Sequence, residues 1–260
     1  MANDIDGRVN PATHAESASL DIDVDVSMIS TQPFYPDNFT ARLHSFLTHK
    51  DPGKQIYALS QMPHLATCNW RGRTNFAKET TILACRGAQF PLKLWIVGEL
   101  VTAYFFEQNS SDPLKRVNLY IRPLLPTDMS TAERLLHMFV SVEGDQPTLR
   151  DTVKVGRWQT QRKRGSTETT ATPFTILYDA TTTFCAKDQM TTLDPSQLGR
   201  GDVLLAEVEV VRYHPMDADN HSPDLSKWEI RFDIQALSLL LQAPEEYNDV
   251  VDNRESNVEI

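Results

Sequence analysis

The most regular alternation of apolar and polar positions falls late in the chain, in KWEIRFDIQALSLLL. There Trp228, Ile230, Phe232 and Ile234 alternate with Glu229, Arg231, Asp233 and Gln235. Successive strand side chains point to opposite faces, so this pattern predicts a strand with one buried and one wet side. Just upstream, Leu204, Ala206, Val208 and Val210 share a face opposite Glu207 and Glu209, after a turn containing Gly199, Gly201 and Asp202. Together the two segments read as the closing hairpin of a small β-barrel or sandwich.

Short strands dominate the stretch before it. Residues 80–85 form an apolar run, and 91–107 (PLKLWIVGELVTAYFFE) a longer one interrupted by Gly98. A glycine inside a strand marks a bulge or tight bend, the means by which a barrel strand turns a corner. Residues 116–122 alternate again, with Val117, Leu119 and Ile121 inward and Arg116, Asn118, Tyr120 and Arg122 outward. Ser130 and Glu133 have capping-box spacing before Leu135, Leu136, Met138 and Phe139, which predicts a helix between strands. Another helix is expected through Phe39, Leu43, Phe46 and Leu47, capped by Asp37 or Asn38. Residues 144–173 are polar, basic and rich in Thr and Gly, and read as a long loop with strand-like edges at Val153 and Val155. Residues 174–178 resume the sheet.

These elements predict a mainly β (α+β) chain. Its core is an oligonucleotide/oligosaccharide-binding (OB) type β-barrel with long insertions, a short capped helix between strands and a helical N-terminal segment. Leu198-x-Arg-Gly-Asp202 before an alternating strand, and Trp228-x-Ile-x-Phe232 in the last one, give the chain a resemblance to OB-fold single-stranded-DNA-binding proteins of viral and phage type. The resemblance covers 66–242 loosely and 198–241 more specifically. It implies a groove-binding, non-enzymatic protein whose acidic C-terminal tail contacts partner proteins. The long insertion at 144–173 and an acidic N-terminal tail depart from that pattern.

Charge changes the picture in one respect. The chain of 260 residues has a formal net charge of −10, but residues 1–30 hold six acids against Arg8, and 244–260 hold six against Arg254. The segment 31–243 is therefore neutral, and the acidic balance does not argue against nucleic-acid binding there. Residues 1–30 and 244–260 lack the apolar periodicity needed to offset chain entropy and read as disordered acidic tails flanking one domain, 31–243. Cys68, Cys85 and Cys185 are widely spaced with no CxxC, and their odd count argues against a disulfide framework. With no signal peptide and no long apolar run, the expected location is intracellular, nucleus or cytoplasm, without a membrane role.

Three segments of the neutral middle combine cations with rings: Trp70, Arg71 and Arg73; Arg116, Tyr120 and Arg122; and Arg157, Trp158, Arg162, Lys163 and Arg164. Single strands are held by cations along the phosphates and rings under the bases, with stacking worth roughly 1–3 kcal/mol per base. Each segment has a plainer alternative as a solvated surface or, for Trp70, as core; Trp95 and Trp228 read as core. His214, Asp217, Asp219 and His221 share one loop, but the loop lacks the glycine and terminal glutamate of a calcium site. No cofactor, metal or enzyme motif is expected. The sequence thus points to a single-stranded DNA or RNA binder of low sequence specificity, monomeric or oligomeric. A β-rich coat-like or scaffold protein is the alternative, and a metal hydrolase using His214 and His221 a more distant one.

Overall fold

A computed structural model of the chain describes residues 29, 32, 34–72, 81–139, 151–162, 165, 168–215 and 222–245. The acidic tails lie almost wholly outside these residues; of the N-terminal one, Ile29 is buried in the core. In chain order the described elements are α1 (Asp37–Leu47), β1 (Lys50–Asp51), β2 (Ile56–Ala58), β3 (Cys68–Arg71), β4 (Ile82–Cys85), β5 (Lys93–Phe106) and β6 (Pro113–Pro123). They continue with α2 (Pro126–Leu136), β7 (Val153–Trp158), β8 (Thr160–Arg162), β9 (Thr169–Ala171), β10 (Leu177–Asp179), β11 (Val203–Tyr213) and β12 (Glu229–Leu241).

The long strands pair in a ring. β5 runs antiparallel to β6 and β6 to β7; β7 runs parallel to β12; β12 is antiparallel to β11, which returns antiparallel to β5. β5 can serve both neighbours because residues 93–99 pair with β11 and residues 98–106 with β6. Gly98 sits at that changeover. A Cβ there would lie 2.2 Å from the Arg122 carbonyl oxygen, so the glycine permits close backbone approach. The expected irregularity of this strand lies further on, at register shifts between Leu100 and Thr102 and between Tyr104 and Phe106.

Inward-facing residues fill the ring as the alternation predicts. Leu119, Ile121, Val153, Val155, Leu204, Ala206, Val208, Val210, Phe232 and Ile234 are fully buried in one apolar cluster, joined by Ala132 and Leu135 of α2. Burial of each such side chain is worth about 1.5–3 kcal/mol, which makes this cluster the main support of the ring.

A second layer covers what the sequence pattern assigned to water. Phe39, Leu43, Phe46 and Leu47 of α1 pack with Trp95, Val97, Val203, Leu205 and Leu240 on the outside of β5, β11 and β12. Glu207 is consequently buried rather than wet, as are Glu209 and Asp233. Its carboxylate accepts from Lys187 Nζ at 2.6 Å, Lys93 Nζ at 3.0 Å and Trp95 Nε1 at 3.4 Å. Burial opposes its ionisation, but the two lysines outweigh that and hold its pKa below the ordinary glutamate value.

Several local expectations need correction. α1 begins after Pro36 with no side-chain cap, and Asp37 instead sits in the first turn, where its charge suits the helix dipole. α2 starts at Pro126, earlier than the capping-box spacing implied; Pro at the first position has no N–H to leave unpaired. Ser130 lies inside that helix, its Oγ bonding back to the Pro126 carbonyl at 3.3 Å. A capping box does occur at Asp194 and Gln197, on a 3-10 turn over Pro195–Gln197. The stretch read as a basic loop, 144–173, contributes β7 to the ring and a β8–β9 hairpin beyond it. Trp228, read as core, is only half-buried and packs against His214, with ring centroids 3.7 Å apart and the planes tilted by 33°.

Candidate nucleic-acid interface

Alternation along β6 sends Val117, Leu119 and Ile121 into the core, leaving Arg116, Asn118, Tyr120 and Arg122 on the outer face. The β6–β7 register sets Arg116 opposite Trp158, Asn118 opposite Gly156 and Tyr120 opposite Lys154. On the other side, β5 sets Thr102 beside Tyr120 and Tyr104 beside Asn118. One sheet face therefore gathers residues from three chain segments.

Its side chains pair cation with ring. The Arg116 guanidinium carbon lies 5.6 Å from the Trp158 ring centroid, and Lys154 Nζ 5.6 Å from that of Tyr120. Tyr120 meets Tyr104 edge-on at 6.4 Å. Such pairs attract by about 0.5–1 kcal/mol at exposed sites. Trp158 is 52% exposed and Tyr104 51%, large values for rings of this size. Gly156 on the same face lets Asn118 pack closely over the strand, since a Cβ there would stand 2.9 Å from Asn118 Oδ1.

The face continues onto β12 and β11 through a cleft of about 300 Å³ lined chiefly by Arg157, Trp158, Arg212, Tyr213, Arg231 and Asp233. Arg231 lies 5.3 Å from the Tyr213 ring. Arg212 lies between two indoles, 4.9 Å from Trp70 and 4.2 Å from Trp228. Burial lowers the Arg212 pKa from its ordinary value, and burial followed by the Glu229 hydrogen bond pushes Tyr213 up to about 12.

The expected contact residues divide by position. Arg116, Tyr120 and Trp158 share the face. Arg157 lines the adjoining cleft, with its Nη1 donating to the Ile234 carbonyl at 2.8 Å, just past the end of the short β7–β12 ladder. Arg122 is held by Asp151 at 2.9 Å and Glu99 at 3.7 Å. Trp70 is half-buried against the core and beneath Arg212, and Arg71 donates to the Ala88 and Gln89 carbonyls at 3.1 and 2.8 Å. Arg162 is exposed on the β8–β9 hairpin. Arg73, Lys163 and Arg164 lie outside the described residues.

Tyr104, Lys154, Arg212, Tyr213 and Arg231 join this surface without having been singled out in the sequence. Lys154 carried a signal, being the polar residue between Val153 and Val155. Arg212 continues the inward parity of Val208 and Val210 past the end of the core, where alternation alone gives no warning.

Among the described residues no three His, Cys, Asp or Glu side chains gather as a metal site, and residues 216–221 of the histidine loop lie outside them. His214 Nδ1 is 2.7 Å from the Lys227 carbonyl oxygen. No described helix is long and apolar enough to cross a membrane.

No protein-family model matches the sequence, and no curated protein does. Among solved structures the chain has a weak, fold-level resemblance to the crystal structure of gp2.5, a single-stranded DNA binding protein encoded by bacteriophage T7. The TM-score is 0.38 at 14% identity, over 65% of this chain and 97% of that one.

Proposed function

We propose that this protein binds single-stranded nucleic acid, DNA in preference, through the outer face of β6 and β7 and the cleft beside them. The five-strand ring is read as an OB-type barrel: the cyclic order β5–β6–β7–β12–β11, with one parallel contact between β7 and β12, supports that assignment. The observation that carries the function is the run of cation–ring pairs on one face, Lys154 with Tyr120, Arg116 with Trp158 and Arg231 with Tyr213. Every base has a π-face, so rings recognise single strands without reading sequence, while the guanidinium and ammonium groups meet phosphates. The role is binding, without catalysis, and the acidic C-terminal tail recruits protein partners.

The test is quenching of tryptophan fluorescence by oligo-dT at two salt concentrations. Saturable quenching that weakens steeply with salt is expected, because each neutralised phosphate releases counterions. No quenching at the lower salt, together with sedimentation of a defined assembly, would favour a β-rich structural protein instead.

A further inference from the structure

Cys68 on β3 and Cys85 on β4 are direct partners in an antiparallel ladder. The flanking bond identifies the kind of pair. Arg86 N donates to the Thr67 carbonyl at 2.9 Å, linking the residue after Cys85 to the residue before Cys68. That bond makes Cys68 and Cys85 a non-hydrogen-bonded pair, the type whose Cα atoms approach to about 4.5 Å with side chains closest together. Disulfide-linked residues have Cα separations of about 4.4–6.8 Å, so the strands already hold the two thiols within bonding range. Both are free thiols, and the Cys68 Sγ–H donates to the His64 carbonyl at 3.9 Å.

We infer that Cys68 and Cys85 form a reversible dithiol–disulfide site, open to small disulfides through Cys85. Cys68 is buried, whereas Cys85 is half-buried and reachable from solvent. The Cys85 thiol gives its proton to solvent, and its thiolate attacks one sulfur of a small disulfide, releasing the other half as a thiol. The Cys68 thiolate then attacks the Cys85 sulfur, forming the Cys68–Cys85 bond and expelling the second thiol. Two protein thiols are oxidised while one external disulfide is reduced to two thiols. Cys85, half-buried, leaves one end of the link open to external thiols, which makes it reducible. Burial pushes the Cys85 thiol up to about 11 and raises Cys68 as well, so the exchange quickens as pH rises. Closure would fix the edge strand β3 that carries Trp70, next to Arg212.

Cystamine added to the reduced full-length protein at pH 8.5 tests the site. After acid quench, denaturation and alkylation, the expected result is loss of two of the three alkylatable thiols. A non-reduced digest should yield a cross-linked peptide pair containing Cys68 and Cys85, and dithiothreitol should restore all three thiols. The Cys185→Ser variant should give the same cross-link, since Cys185 packs in the other apolar cluster. Three thiols left alkylatable, a stable cysteamine adduct on Cys85, or a link through Cys185 or between chains would overturn the inference.

Discussion

Arg116 and Trp158 face each other across the β6–β7 ladder, with the guanidinium carbon 5.6 Å from the indole centroid and half of the indole still open to solvent. The cation restrains the ring before any ligand arrives. Less side-chain freedom is then lost when a base stacks on it, and preorganisation of this kind strengthens binding without adding a contact.

Trp158→Ala should therefore weaken oligo-dT binding by the worth of one stacked base, roughly 1–3 kcal/mol or about 5- to 150-fold in Kd. Circular dichroism should be unchanged, because the ring is half exposed. Arg116→Ala should weaken binding as well and lower the salt slope by about 0.7, the value of one phosphate contact on a single strand. Titrations of both variants at three salt concentrations decide it. Affinities equal to wild type would remove this face from the interface.

Arg122 shares the strand and parity of Arg116 but has a different part. Its guanidinium is held between Asp151 and Glu99, and Glu99 is only 2% exposed, with the Tyr35 hydroxyl donating to it at 2.9 Å. Removing the arginine leaves a buried carboxylate short of one partner, a cost of about 1–3 kcal/mol. Arg122→Met is expected to lower the urea midpoint while changing oligonucleotide affinity less than threefold. A loss of affinity matching that of Arg116→Ala, with the midpoint unmoved, would reassign it to the interface.

Gly98→Ala tests the changeover in β5. The added methyl group would meet Arg122 O at 2.2 Å, Arg122 C at 2.7 Å and Ile121 Cγ2 at 2.7 Å. Two of these are main-chain atoms of the paired strand, so no rotamer change relieves the contact. Separating β5 from β6 should cost at least about 3 kcal/mol, the upper part of the overpacking range. Urea unfolding monitored by circular dichroism measures it. A midpoint within error of wild type would mean that the strands lie further apart.

Which parts of this architecture the sequence disclosed follows from which forces are local. Alternation in β6, β11 and β12 reports the inward face correctly, because Val117, Val208 and Phe232 are apolar for the same reason that they are buried. The outer face of β11 misleads. Glu207 has the polarity of an exposed residue, yet Lys93, Lys187 and the α1 layer, all distant in sequence, enclose it. β7 is legible only in part: Val153 and Val155 give strand-like edges, but Lys154, Gly156 and Arg157 make VKVGRW look like part of a basic loop, and its pairing with β6 and β12 places it in the ring. At the interface, Arg116, Tyr120 and Trp158 were legible as cations beside rings. Arg212 was not, since its stacking partners Trp70 and Trp228 come from β3 and from the start of the last strand segment.

Asp128 gives a pH dependence of definite sign. It lies in α2 at 1% exposure, its Oδ1 accepting from Ser60 N at 2.8 Å, with no cation among the groups acting on its ionisation. Burial, only partly offset by hydrogen bonding from Ser60, pushes its pKa up from 3.8 to about 7. Between those values the folded protein holds a proton that the unfolded chain has released, so this residue makes stability fall as pH rises. The contribution is fully present below pH 4, is lost progressively up to pH 7, and levels off above it, with a slope of at most about 1.4 kcal/mol per pH unit. Asp128→Asn keeps an acceptor for Ser60 N but cannot ionise, so its stability should not carry this slope. Urea unfolding at pH 5, 6, 7 and 8 compares the two proteins. The difference, variant minus wild type, should grow in favour of the variant from pH 5 to 7 and stay constant beyond. A difference that is flat across that window would show Asp128 to be ionised throughout, with a partner that stabilises its charge.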